Sequence, residues 1–252
     1  MLVNSDLKFT VPDFRSTSRT KTSSATMYHS SVYSTQESAD RLHDDVLQKL
    51  KSGQHAPFTP FDTFIEKLAR SGRLRRHYTQ NIDCRHVRLP FLSQRTIWLH
   101  GRADTLTCHI RPSHQRRVTS QSFRRWIAAP CPSCKAEGEK HARAGKRRRS
   151  GGFLRPKVLL YGEGCADETE ITAAFNSDLV QPIDAVLIVG TRLSIDSLGD
   201  FTKRLCGMVR TNKPENLVVW VSKEPPRLEE DFRSLISFEY IGDCDDFVSM
   251  MS

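Results

Sequence analysis

Residues 158–162 read Val-Leu-Leu-Tyr-Gly, residues 185–190 Ala-Val-Leu-Ile-Val-Gly, and residues 217–222 Leu-Val-Val-Trp-Val-Ser. Each is a short, nearly continuous apolar run, the pattern of a strand covered on both faces in a parallel sheet. Two more runs, His77–Ile82 and Thr96–His100, are rich in β-forming residues. Helical patterns lie among these strands. One helix is predicted to start near Thr35, with Leu42, Val46, Leu47 and Leu50 on one face. A second is predicted from Thr59 as N-cap and Pro60 at its first position, with Asp62 in the first turn. Its stripe is Phe61, Phe64, Ile65 and Leu68, and Gly72 ends it. Such alternation predicts an α/β fold with a parallel sheet. Residues 1–34, rich in Ser and Thr, are read as mostly irregular, and residues 102–152 as a small insert between two strands of the main domain.

The chain has 252 residues and carries 38 Lys plus Arg against 29 Asp plus Glu, a formal charge of +9. No apolar run approaches the ~18 residues of a membrane span. The first residues, MLVNSDLKFTVPDF, lack the regions of a signal peptide, so neither a membrane nor a secreted protein is expected. Seven scattered cysteines argue against a disulfide framework, and the close pair Cys131-Pro-Ser-Cys134 suggests metal before redox chemistry. The basic excess is local. Between His109 and Ser150 stand twelve Lys or Arg against Glu137 and Glu139, a net +10 that leaves −1 for the rest. The run Lys140–Arg149 cannot pack in a dry interior and is followed by Ser150-Gly151-Gly152, a flexible exit. It reads as a solvated loop, or as a nuclear-import signal or a contact to nucleic acid or an acidic chromatin surface.

Parallel sheets place ligands at the carboxyl ends of their strands. Behind the five runs stand Gln80-Asn81-Ile82-Asp83, His100-Gly101, Tyr161-Gly162-Glu163, Gly190-Thr191 and Ser222-Lys223-Glu224. Amides, carboxylates, an imidazole and a Gly-Thr turn on one edge suit a polar, nucleotide-like ligand.

The string Tyr78-Thr79-Gln80-Asn81-Ile82-Asp83 followed by Leu99-His100-Gly101 resembles the core of the sirtuin family of NAD-dependent protein deacylases. Pro12-Asp13-Phe14-Arg15-Ser16 resembles the family's cofactor-loop motif, Leu154-Arg155-Pro156 through Tyr161-Gly162-Glu163 its LRPxVVxFGE segment, Gly190-Thr191-Arg192-Leu193 its GTSL, and Gly242-Asp243-Cys244-Asp245 its last motif. Order and spacing hold from residue 11 to 247, and the whole looks most like a fungal, nuclear, histone-directed branch.

The resemblance implies a Rossmann-like domain of residues 1–101 and 153–252, a zinc-ribbon-like insert at 102–152, and an NAD-dependent protein-lysine deacetylase in the nucleus, with the cytoplasm as the alternative, and with an acyl-lysine protein, a histone above all, as substrate. The acyl group would pass to ADP-ribose as nicotinamide leaves. His100 would be the general base on a ribose hydroxyl, a role that suits a group titrating near neutrality. Asp13, Phe14, Arg15, Gln80, Asn81, Asp83, Gly190, Thr191, Ser222, Cys244 and Asp245 would hold the cofactor. Val158, Tyr161, Gly162 and Glu163 would pair with the substrate backbone as an added strand. Cys108, Cys131 and Cys134 would bind structural zinc.

Two departures stand out. No glycine precedes Gly53, so the phosphate-cradling GAGxS turn and its strand are missing ahead of Pro12. A misplaced start or missing exon is the favoured explanation; the alternative is a sirtuin-like scaffold that has lost its NAD phosphate loop. The fourth zinc position holds Arg111, which cannot ligate; His109 or His114 could replace it, or the site is dead.

Overall fold

The computed structural model describes residues 27–147, 150–193 and 195–251. In chain order the elements are a 3-10 turn (Ser30–Ser34), α1 (Gln36–His55), α2 (Pro60–Arg70), β1 (His77–Thr79), a second 3-10 turn (Arg85–Arg88), α3 (Pro90–Ser93), β2 (Thr96–Trp98), β3 (Gly101–Cys108), β4 (Gln115–Arg117), α4 (Ser120–Trp126), α5 (Pro132–Arg143), β5 (Leu154–Val158), α6 (Glu168–Leu179), β6 (Ala185–Val189), α7 (Asp196–Asn212), β7 (Leu217–Ser222), α8 (Glu230–Arg233), β8 (Phe238–Ile241) and α9 (Cys244–Met250). They sort into two compact units, residues 57–77 with 167–251, and residues 27–56 with 78–166. Among the described residues no helix is long and apolar enough to cross a membrane.

The first unit carries a parallel sheet in the order β6-β7-β8. Ile188, Val218 and Trp220 pack on Cys206 and Val209 of α7. Val189, Val221 and Tyr240 pack on Phe247 and Val248 of α9 and on Phe61 and Phe64 of α2. Helix α2 forms as its sequence dictates. Thr59 caps it, Asp62 closes the capping box, and Gly72 follows at positive φ. Asp178, only 1% exposed, is held by Arg76 at 3.0 Å and Arg75 at 3.3 Å, which compensates a buried carboxylate. The expectation that AVLIVG is covered on both faces fails, since Ala185 is exposed and Leu187 is 36% exposed. β6 stands at the end of the described strand order.

The second unit is built on an antiparallel sheet, β4-β3-β5, beside a β1-β2 pair. Helix α1 buries Leu42, Val46 and Leu50 completely, against Leu106, Phe123, Leu154 and Leu160. Each such side chain contributes about 1.5–3 kcal/mol by leaving water. Residues 102–152 therefore share a core with α1, across the division drawn from the sequence. The VLLYG run is not a parallel strand. The strand is Leu154–Val158, antiparallel to β3, and its alternating burial is that of a one-faced sheet. The basic run is not all loop either. Lys140–Arg143 end helix α5, where cations complement the macrodipole.

Candidate functional site

Cys131 opens α5, with Pro132 at its first position, and Cys134 lies one turn on. Cys108 ends β3. Their sulfurs and a ring nitrogen of His114 lie within 4.8 Å of one another. Cys108 and Cys134 sulfurs are 3.6 Å apart, and His114 Nδ1 is 3.6 Å from Cys131 Sγ and 3.4 Å from Cys134 Sγ. Donors placed around a tetrahedral zinc at its usual bond lengths are about 3.3–3.8 Å apart, so a Cys3His set fits structural zinc. The choice between the two histidines is thereby made. His109 instead stacks on Phe153 at 3.8 Å and accepts the Phe153 N–H at 3.0 Å.

Three supporting residues escaped the sequence reading. Glu137 binds His114 Nε2 at 2.9 Å and Arg111 at 2.9 Å, the carboxylate partner that orients a ligating imidazole. Arg111 Nη1 reaches Cys134 Sγ at 3.3 Å, so the residue in the fourth family position neutralises a thiolate instead of ligating. Gly152 is no flexible exit. Its carbonyl accepts the Cys131 N–H at 2.7 Å, and a Cβ there would run into Cys108 Sγ. Burial pushes the Cys131 thiol up to about 11. Burial acts likewise on Cys134, but hydrogen bonds from the Gly152 backbone and His114 outweigh it and bring the thiol down to about 7.

The same unit gathers Gln80, Asn81, Asp83 and His100. Leu99 donates to the Thr79 carbonyl at 2.9 Å, Ala103 to the Ile82 carbonyl at 2.9 Å, and Leu159 to the His100 carbonyl at 2.9 Å. Asn81 N–H bonds the Thr79 hydroxyl, and Arg85 N–H the Asp83 carboxylate, both at 3.1 Å, two local turns that fix the loop. Gly101 follows His100 at φ +80°, and a Cβ there would strike the Lys157 carbonyl oxygen, so only glycine fits. Burial lowers the His100 pKa, while a hydrogen bond to the Gln80 backbone partly restores it. At neutral pH the ring is a neutral, oriented proton acceptor.

Other candidate residues take different roles. Val158 is buried in the core. Tyr161 donates its N–H to the Tyr28 carbonyl at 2.7 Å and accepts from Ser30 at 2.8 Å. A segment of the chain itself, residues 28–30, bridged at His29, thus occupies the Tyr161 backbone, which cannot serve an added strand there. Gly162 packs on His29 and Ser30, and Glu163 is gripped by Arg155 through two bonds of 2.9 and 2.6 Å. In the first unit Gly190 donates to Val221, and Gly242 to Ser222, so Gly190, Thr191, Ser222 and Cys244 gather at the carboxyl edge of the parallel sheet. Asp245 accepts the Phe61 N–H at 2.8 Å and so is engaged at the start of α2. Asp13, Phe14 and Arg15 lie outside the described residues.

The fold and these sites define an α/β protein with a Cys3His cluster that fits a metal and a half-buried histidine, neutral at neutral pH, just ahead of a strand. The Sir2 family model matches residues 7–197. The chain belongs to the Sir2 family. It is 28% identical to the NAD-dependent protein deacetylase hst4 of Emericella nidulans, over 94% of this chain and 43% of that protein. It is 27% identical to the NAD-dependent histone deacetylase HST4 of Saccharomyces cerevisiae, over 87% and 64%. The chain thus spans about two fifths to two thirds of the length of these relatives. A crystal structure of a Sir2 homolog–NAD complex shares the fold, with a TM-score of 0.66 at 15% identity, covering 90% of this chain and 75% of that one.

Proposed function

We propose that this chain is an NAD-dependent protein-lysine deacetylase acting on histones in the nucleus. The observation that carries the reading is His100, half-buried, held to the Gln80 backbone and followed by a glycine that no other residue can replace. Family membership and the names of the two fungal relatives support it. NAD, when bound, supplies the ribose that takes over the acyl group and the nicotinamide that leaves. His100 accepts the proton of a ribose hydroxyl. Asn81 and Asp83, with Gln80, border the nicotinamide end. Gly190, Thr191, Ser222 and Cys244 offer a strand-end edge suited to phosphate and adenosine. Cys108, Cys131, Cys134 and His114 would hold zinc, whose role would be structural, since protein would take all four positions. The exposed basic residues from Lys140 to Arg147 suit an import signal.

The test is nicotinamide release from NAD with an acetylated histone-tail peptide. Release that needs the peptide and disappears in His100→Ala supports the reading; release unchanged in that variant refutes it.

A further inference from the structure

The +10 lobe is not uniformly charged once its ion pairs are drawn. Arg111 is neutralised by Glu137, Arg117 by Asp104 and Arg124 by Asp44. Arg116 and Arg125 make no ion pair among the described residues, and both are exposed. They flank one indole: the Arg116 guanidinium lies 3.5 Å from the Trp126 ring centre and that of Arg125 5.3 Å. Trp126 itself packs on the hydrophobic core and ends helix α4, while Arg116 sits on β4, whose three residues are all exposed. A guanidinium laid on an aromatic face keeps its N–H edge free and gives up less rotamer freedom on binding. Arg116 and Arg125 are thus two pre-set forks of one sign, neither held by a carboxylate.

We propose that Arg116, Trp126 and Arg125 form a docking surface for the phosphate backbone of duplex DNA. Phosphate fits better than carboxylate side chains, because phosphates recur on a duplex at close, regular spacing and planar forks bind them bidentately. Such contacts position a protein without reading base sequence.

The experiment measures binding of the full chain to a short mixed-sequence duplex DNA between about 50 and 200 mM salt. Binding should weaken steeply with salt. In the double variant Arg116→Ala/Arg125→Ala the slope of log affinity against log salt should shrink by about 2, with zinc content and melting temperature unchanged. A control that removes two charges from the other unit, Lys203→Ala/Arg233→Ala, should leave the slope alone. No DNA binding at low salt, or an equal loss in the control, overturns the proposal. So does equally tight binding of polyglutamate with the same loss in the Arg116/Arg125 variant, which would mark an acidic protein as the partner.

Discussion

Glu137 holds His114 by Nε2 at 2.9 Å and so turns Nδ1 toward the sulfurs of Cys131 and Cys134. In a zinc site the imidazole would do the work of the missing fourth cysteine, and this carboxylate sets its orientation.

Replacing His114 by Ala should therefore release zinc and loosen the lobe. Glu137→Gln should keep the metal but weaken its binding about 10–100-fold. Metal analysis alongside a chelator titration separates the two, and His109→Ala serves as the variant that retains zinc.

Gly101→Ala should be severe. Positive φ alone costs a non-glycine residue about 1–3 kcal/mol, and the overlap with the Lys157 carbonyl adds to it. A denaturant midpoint reads the loss. Nicotinamide release should fall as well, because β3 carries His100 at its head.

The His100 pKa lies below its ordinary 6.5, chiefly because burial disfavours the charged ring. The unfolded chain then takes up the proton more readily than the folded one. Stability from this residue is complete above pH 6.5 and declines as pH falls from there through the folded pKa. Activity should fall on the same acid side, with a midpoint below 6.5. In His100→Gln the acid-side loss of stability from this group should vanish, as melting curves across pH would show.

Arg155 and Glu163 have side chains only 17% and 27% exposed. Removing one partner strands a half-buried charge, so Glu163→Gln should cost about 1–3 kcal/mol. A double-mutant cycle with Arg155→Met should recover part of that cost, since neither charge then remains.

Local signals were legible in the sequence and distant ones were not. Helices α1 and α2 follow from caps and stripes within a few residues, and both begin where Thr35 and Thr59 predict. The strand β7 coincides with its apolar run, Leu217–Ser222. By contrast β3, the longest described strand, mixes Arg, Asp and Thr with Ala and Leu, because Arg102 and Asp104 pair with each other at 2.7 Å. Gln80, whose backbone His100 bonds, stands out in the sequence, but not the strap of residues 28–30 that fills the backbone of Tyr161, since that pairing joins segments more than a hundred residues apart. Nor does spacing separate His109 from His114. Stacking on Phe153 removes the first, and only the folded lobe brings Phe153 there.

The metal lobe leaves and rejoins its unit at one place. Cys108 pairs with Leu154, and Gly152 accepts from Cys131, so the chain between the end of α5 and Gly152 is closed by a fastened clasp. Doubling the length of such a closed loop costs only about 0.6 kcal/mol. The basic stretch is in that sense an interchangeable cartridge. Changes in its length or charge would alter whatever surface the protein meets and leave the clasp and the histidine beyond it as they are.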